Sequence, residues 1–487
     1  MFEEKNDKFL TQKTRKAAKF SVAAEFSSKL IVPIVNMILA RLLTPEDFGV
    51  VATISIITSF TDIFTDVGFN KYLVQHPFKD KEEYEKSANV AFIANLALSL
   101  IFWLIISIFN TPIATALGDS SIGLAIIVAL VQLPITSFSS IQTAIYRRSL
   151  DFKTLLISRL MIAIMPLFVT VPLAVLGFGY WSLIIGNIAG RLLSTIFLTV
   201  KSEWKPRLYF DFGVLGKMLH KSMLLVGESI SQWMCNYFDF IVIGALVSTY
   251  YLGLYKNSYQ MVNSIITLFT VSLVPVLLSS LSRLVNDKKE YMRVYSSFQR
   301  TLSYILLPLS FGILLFKELV VQILFGDGWL EAANIVGVVA ISLAFKSIFV
   351  DLISTAFISR GRPRLSIVMN MIYLLVLTPV SLLVVRQGFW PYLYVKCSLM
   401  IVYILVAILL AYWKKVLVVR DLFINITKPI IATTIMALFV VAYKVVLPEN
   451  MYLDIIVILI AICVYGGVIW MMDREFYKNI RDIIKVK

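Results

Sequence analysis

Fourteen apolar stretches of about 20 residues, separated by short polar connections, follow one another from residue 20 to residue 472. A helix rises about 1.5 Å per residue, so each stretch matches the roughly 30 Å hydrocarbon core of a bilayer. Only a helix satisfies its own backbone N–H and C=O groups across that depth. The stretches lie near 20–40, 48–68, 88–109, 121–143, 154–175, 180–200, 222–245, 252–279, 299–316, 331–355, 365–385, 391–413, 429–447 and 453–472. The expected fold is therefore all-α and polytopic, with fourteen transmembrane helices. With 59% hydrophobic and 15% charged residues, a chain of 487 residues is too apolar to hide its surface in an aqueous core.

The chain carries 45 Lys and Arg against 30 Asp and Glu, a net charge of +15. Most of the basic residues fall on the termini and on every second connection; Arg41, Lys317, Arg386 and Lys444 are the ones at the opposite face. This bias predicts that both termini are cytoplasmic. The basic loops are expected to rest against anionic lipid heads, and no nucleic-acid partner is implied. Residues 5–19 resemble the basic start of a signal peptide. The apolar stretch that follows is full length, carries Glu25 and Lys29 and lacks a small-residue cleavage site, so it is expected to stay as the first span. Cys235, Cys397 and Cys463 are an odd set inside spans, which points to packing rather than to disulfides or a metal.

The chain repeats itself. Leu42-Leu43-Thr44-Pro45-Glu46-Asp47-Phe48-Gly49, between the first two spans, matches Leu246-Val247-Ser248-Thr249-Tyr250-Tyr251-Leu252-Gly253, between the seventh and eighth. Leu117-Gly118-Asp119 likewise matches Phe325-Gly326-Asp327, and the pair Arg147-Arg148 corresponds to Arg360-Gly361-Arg362. Units six spans apart enter the membrane in the same orientation, predicting two parallel six-helix lobes with substrate between them. The expected division is 1–212 for the first lobe, 213–415 for the second, and 416–487 for two C-terminal spans and a tail. Pro45 is expected to stop the first helix and Gly49 to provide a tight re-entry.

Charge inside a span costs roughly 2.5 to 3.5 kcal/mol on insertion scales, so such residues normally face a bundle interior or a wet cavity. The candidates are Glu25, Lys29, Asp62, Asp66, Arg159, Arg191, Glu228, Asp239, Lys256, Lys346, Asp351 and Lys396. Arg159, Lys256 and Asp66 lie near span ends and are expected to snorkel to an interface. Polar residues recur at helical spacing as Glu25, Lys29 and Asn36, as Ser55, Ser59, Asp62 and Asp66, as Glu228, Gln232, Asn236 and Asp239, and as Lys256, Gln260, Asn263 and Thr267. A cavity lined in this way suits an amphiphilic or anionic solute. Lys29, Arg191, Lys346 and Lys396 would be its counter-charges, and Asn36, Gln232 and Gln260 its polar lining. The acids Glu25, Asp62, Glu228, Asp239 and Asp351 are candidates for coupling to a proton or sodium ion. The competing structural reading is that pairs such as Glu25 and Lys29, four residues apart, only neutralise each other.

Some patterns are missing from the chain. No phosphate-binding glycine loop ending in Gly-Lys-Ser/Thr occurs, nor a zinc-protease or nucleophile-elbow pattern, and His76 and His220 fall on expected connections. No cofactor is expected. A membrane enzyme would gather its reactive groups at one face, whereas these charges are spread in depth, so transport fits better. A non-transporting scaffold would gain nothing from charges that cost folding energy.

Ala40-Arg41-Leu42-Leu43-Thr44-Pro45-Glu46-Asp47-Phe48-Gly49 resembles the first periplasmic turn of the Wzx-type polysaccharide flippases, within the multidrug, oligosaccharidyl-lipid and polysaccharide exporter superfamily. The segment from Ile141-Gln142 through Tyr146-Arg147-Arg148 to Asp151-Phe152-Lys153 is similar to the colanic acid and teichuronic acid exporter branch. The resemblance covers nearly the whole chain. It implies a bacterial inner-membrane flippase, not an enzyme, that moves an undecaprenyl-pyrophosphate-linked oligosaccharide to the periplasmic leaflet by alternating access, before a polysaccharide polymerase acts. A peptidoglycan-precursor flippase and a cation-coupled multidrug antiporter are the alternatives; the antiporter's cationic substrates would call for a more acidic site than the deep cations here provide.

Overall fold

The computed structural model describes residues 30–65, 67–447 and 450–473. Among them every regular element is helical and no strand occurs. Eleven helices are long and apolar enough to cross a membrane, or twelve if the bent pair Thr249–Val271 and Leu273–Arg283 is one span. The two other expected spans coincide with α1 (Leu30–Ala40) and with the 35-residue α11 (Phe212–Leu246). Large apolar side chains point outward on the later helices, such as Leu375, Ile401, Leu459 and Ile462, an arrangement suited to acyl chains and not to water.

The first half of the chain folds as α1, then α2 (Pro45–Thr65), α3 (Val67–Gln75), α4 (Lys81–Ile108), α5 (Asn110–Ala116), α6 (Gly123–Leu130), α7 (Gln132–Arg148), α8 (Phe152–Phe168), α9 (Thr170–Val175), α10 (Tyr180–Lys201) and α11. There follow α12 (Thr249–Arg283), α13 (Lys288–Leu315), α14 (Lys317–Leu324), α15 (Ala332–Phe345), a π-helical turn at Lys346–Asp351, α16 (Leu352–Ser359), α17 (Arg364–Val384), α18 (Phe389–Trp413), α19 (Val419–Val446) and α20 (Met451–Met472). The repeat seen in the sequence recurs in this order. The helices α4 and α13 are both 28 residues long, each followed by a short helix, a left-handed glycine (Gly118, φ 99°; Gly326, φ 89°) and a 3-10 turn. Left-handed Leu150 and Gly361 then precede helices with internal Pro166 and Pro379, and left-handed Gly179 and Gly388 precede α10 and α18.

Acidic caps start several of these helices. Asp80 accepts from the Glu83 amide at 2.7 Å, Asp287 from the Lys289 and Glu290 amides, and Asp211 from the Gly213 and Val214 amides. Each satisfies donors that have no partner in the first turn. Asp151 caps α8 in the same way, accepting from the Thr154 amide at 3.1 Å and the Thr154 hydroxyl at 2.6 Å, while Lys201 reaches the same hydroxyl.

By packing, the chain divides into two compact units, residues 1–256 and 257–487. In the first, Ile54, Ile57, Ile126, Leu130, Leu133 and Ile184 form a buried core. In the second, Tyr304, Met436, Val440, Val457 and Tyr465 join α13, α19 and α20.

The turn at Thr44 corrects two expectations. Pro45 is the first residue of α2 rather than the stop of α1, and Thr44 and Asp47 cap each other reciprocally across it. Gly49 is not in a turn but inside α2, where a Cβ would strike the Thr249 carbonyl. A Cβ on Gly253 would strike the Pro45 carbonyl, so the two repeat-related glycines meet at one helix crossing within the first unit. Proline suits the first helical position because it needs no N–H partner there, and glycine is required because backbone occupies the space. His220, expected on a connection, falls inside α11, which begins several residues before the expected span.

Candidate functional site

In the first unit α7 sets out hydroxyls and a guanidinium on one face, Thr136, Ser139, Thr143 and Arg147, at intervals of three and four residues. They line two adjoining cavities of about 180 Å³ each. One is bordered by Asp62 of α2, Asn95 of α4 and Arg191 of α10. The other adds Arg147, Ser158 and Arg159 to Arg191 and Ser194. Ser158 and Ser194 share a hydroxyl hydrogen bond of 2.6 Å that ties α8 to α10. The structure thus brings Asp62 and Arg191, separate in the sequence, to one polar chamber. Arg159 borders that chamber as well, rather than only a membrane interface.

Lys256 corrects the snorkelling expectation. Its amino group bonds the Ser55 hydroxyl and the Ala52 carbonyl of α2 and lies 5.7 Å from the Phe240 ring, so it turns inward. One turn along α2, Ser59 accepts a 2.9 Å bond from the Trp233 indole, and Phe60 packs on the same ring. Asp239 is buried, Asn36 is half-buried, and Gln232 is exposed. None of these three borders the chamber. Lys29, Glu25 and Asp66 lie outside the described residues, as does the Glu228 side chain.

In the second unit Lys346 faces Asp351 at 3.4 Å, and Ser347 donates to the same carboxylate at 3.3 Å. Residues five apart on an α-helix point about 140° away from each other. The π-helical turn, with its wider i→i+5 bonding, turns them to one side. Tyr259 and Tyr403 also lie near Lys346. Lys396, buried on α18, stands 5.5 Å from the Tyr259 ring, a cation–π contact. Tyr403 stacks on Tyr373 at 4.2 Å and donates to Asn370 at 2.5 Å. Lys346, Asp351 and Lys396 therefore gather around a tyrosine cluster, while Gln260 is exposed.

Several residues escaped the sequence reading. The hydroxyl ladder of α7 carried a legible signal in its spacing, but it bears no charge until Arg147. The basic loops also do more than approach lipid heads. Arg148 donates to the Leu73, Val74 and His76 carbonyls and stacks on Phe78 and Tyr84. Its repeat counterparts do the same work, Arg360 on the Lys415 carbonyl and the Tyr291 ring, and Arg362 on the Lys414 carbonyl. At the loop before α8, burial raises the Asp151 carboxyl, but the Thr154 hydroxyl and amide, with Lys201 and Lys153 nearby, hold it below the usual carboxylate range. Of the cysteines, Cys397 is buried, Cys235 half-buried and Cys463 exposed. Among the described residues no group of three or more His, Cys, Asp or Glu could hold a metal ion.

Among the described residues, fold and site define an all-helical, multi-pass membrane protein. The chain belongs to the polysaccharide biosynthesis protein family, whose model matches residues 38–334. It is 25% identical over 307 residues to the succinoglycan biosynthesis transport protein ExoT of Rhizobium meliloti (strain 1021), a match spanning 63% of this chain and 61% of that protein. It is 19% identical over 377 residues to a membrane protein in the cps region of Klebsiella pneumoniae, covering 76% of each. Its fold is similar to that of the lipid II flippase MurJ in an inward closed conformation, with a TM-score of 0.77 at 16% identity, covering 94% of this chain and 100% of that one. A multidrug resistance MATE family transporter of the MOP superfamily in an inward-facing conformation is similar at a TM-score of 0.61 and 15% identity, covering 81% and 97%.

Proposed function

We propose that this protein is an inner-membrane flippase for an undecaprenyl-pyrophosphate-linked oligosaccharide, moving it to the periplasmic leaflet by alternating access ahead of a polysaccharide polymerase. The observation that carries the reading is the pair of inward-turned charge clusters, Asp62 with Arg191 in the first unit and Lys346, Asp351 and Lys396 in the second. Charge is expensive at membrane depth and is retained where a polar solute passes. Membership in a polysaccharide biosynthesis family supports a glycan cargo, and the likeness to a transport protein of succinoglycan biosynthesis supports its movement across the membrane. Arg191, Lys346, Lys396 and Lys29 would hold the diphosphate or acidic sugars, with Asn36, Gln232 and Gln260 lining the path. Asp62, Asp239, Asp351, Glu25 and Glu228 would exchange the coupling proton or sodium ion. The two six-helix lobes, with α19 and α20 outside the repeat, would be the moving bodies.

The test is reconstitution. Proteoliposomes carrying a polyprenyl-diphosphate oligosaccharide should show inward-to-outward transfer that accelerates with a proton or sodium gradient. Lys29→Ala, Arg191→Ala and Lys346→Ala should each lower transfer while the protein still inserts. Full transfer by all three variants would remove these residues from the path, and transfer indifferent to both gradients would indicate a passive scramblase.

A further inference from the structure

We propose that the two joined cavities among α7, α8 and α10 are a phosphate-binding site, with the guanidinium groups of Arg147, Arg159 and Arg191 as its ligands. Three cations border this space, and among the described residues that line it Asp62 is the one carboxylate, in one of the two cavities. Among the described residues Arg147 and Arg191 have no ion-pair partner. The contrast within the Arg147-Arg148 pair is informative. Arg148 is consumed by three backbone carbonyls and two rings, so it holds the loop, whereas Arg147 is left to the cavity. Arginine presents five donors in a planar fork that matches the oxygens of a phosphate.

Size and layout narrow the ligand. At about 180 Å³ each, the cavities fall below the roughly 300–1,000 Å³ of pockets for drug-sized ligands. They suit a compact anion and exclude an oligosaccharide. Thr136, Ser139 and Thr143 donate to carbonyls of their own helix, at 3.0, 3.1 and 2.8 Å, and a turn of each hydroxyl hydrogen redirects it to an arriving oxygen. From Arg147 to Thr136 this polar face runs about 16 Å along α7. The Asp62 carboxylate, at one of the two cavities, disfavours an anion beside it. The physiological ligand, the diphosphate of a lipid-linked glycan held at its first station, rests on the flippase reading; the anion site does not.

The test uses full-length protein in phosphatidylcholine nanodiscs titrated with inorganic pyrophosphate by calorimetry. Saturable binding is expected, weakened by added salt, and weakened at least tenfold by Arg147→Gln, Arg159→Gln or Arg191→Gln. The matching Lys variants should lose less, which keeps the test decisive if a Gln variant does not fold. A second arm replaces part of the lipid with phosphatidylglycerol. Competition would identify a phospholipid headgroup as the source of the phosphate, and its absence would point to a soluble or lipid-linked diphosphate; either result upholds the site. Absence of saturable binding in phosphatidylcholine, or binding indifferent to all three substitutions in well-folded protein, would overturn it. No transport is read, so failure here leaves the flippase proposal standing, and failure of flipping leaves the anion site standing.

Discussion

Lys346 and Asp351 are the clearest case of two residues whose meaning depends on each other. Removing one partner leaves the other charged in a poor solvent, which costs more than removing both. Lys346→Ala should therefore destabilise the protein by about 1–2 kcal/mol, and adding Asp351→Ala should restore part of that loss. Thermal unfolding in detergent reads both; effects that simply add would mean that the two do not act as a pair. Asp151 governs a different response. Its folded carboxyl titrates below its ordinary value of 3.8, so its contribution is present above that pH and is lost as pH falls through the lower folded value. Asp151→Ala should lower stability near neutral pH by about 1 kcal/mol, the usual worth of a cap. The gap between variant and wild type should close in acid below about pH 3.8. A gap that persisted there would mean that the carboxylate's charge is not what caps α8. Nothing in the sequence paired Lys346 with Asp351, because an α-helical reading places them on different faces.

At the level of whole helices, the crossing of α2 and α12 and the seating of α20 make opposite demands on chemistry. The crossing needs the absence of side chains. Gly49→Ala and Gly253→Ala would each drive a methyl group into backbone, which cannot yield as a side chain can, so both should lower the unfolding temperature markedly or prevent assembly. Gly216→Ala, in open space on α11, is the control and should be neutral or slightly stabilising. Equal behaviour of all three would show that the crossing is looser than described. The seating of α20 instead needs a charge. Asp473, 2% exposed at the end of that helix, pairs with Arg300 of α13 and with Lys428 of α19 at 3.6 Å, and accepts from Tyr304 at 2.8 Å. Asp473→Ala should cost about 3 kcal/mol by leaving two cations uncompensated. If unfolding of the C-terminal helices were unchanged, their attachment would rest on apolar packing alone. Neither feature was visible as such in the sequence, where Gly49 resembled a turn residue and Asp473 a charge just past the last span.

For the molecule as a whole, the charge bias predicts an orientation that can be measured. In a cysteine-free background, an impermeant maleimide should label a cysteine at Lys317 or Arg386 in intact cells, and one at Arg362 or Lys289 only after permeabilisation. The reverse pattern would invert the proposed topology. The all-helical, multi-pass character was legible from the sequence because a bilayer enforces it: each span must be long, apolar and helical. The repeat was read from Gly49 and Gly253, from Leu117-Gly118-Asp119 and Phe325-Gly326-Asp327, and from the paired arginines, which recur in order at a slowly drifting shift. Partnership was not legible. Whether Arg191 and Asp62 border one cavity, and whether Lys256 reaches lipid heads or the Ala52 carbonyl, depend on the packing of elements far apart in the chain, and a π-helical turn that swings Asp351 back to Lys346 departs from the ordinary helical period. A helical period says which residues share a face, but only the packed structure decides which face they meet.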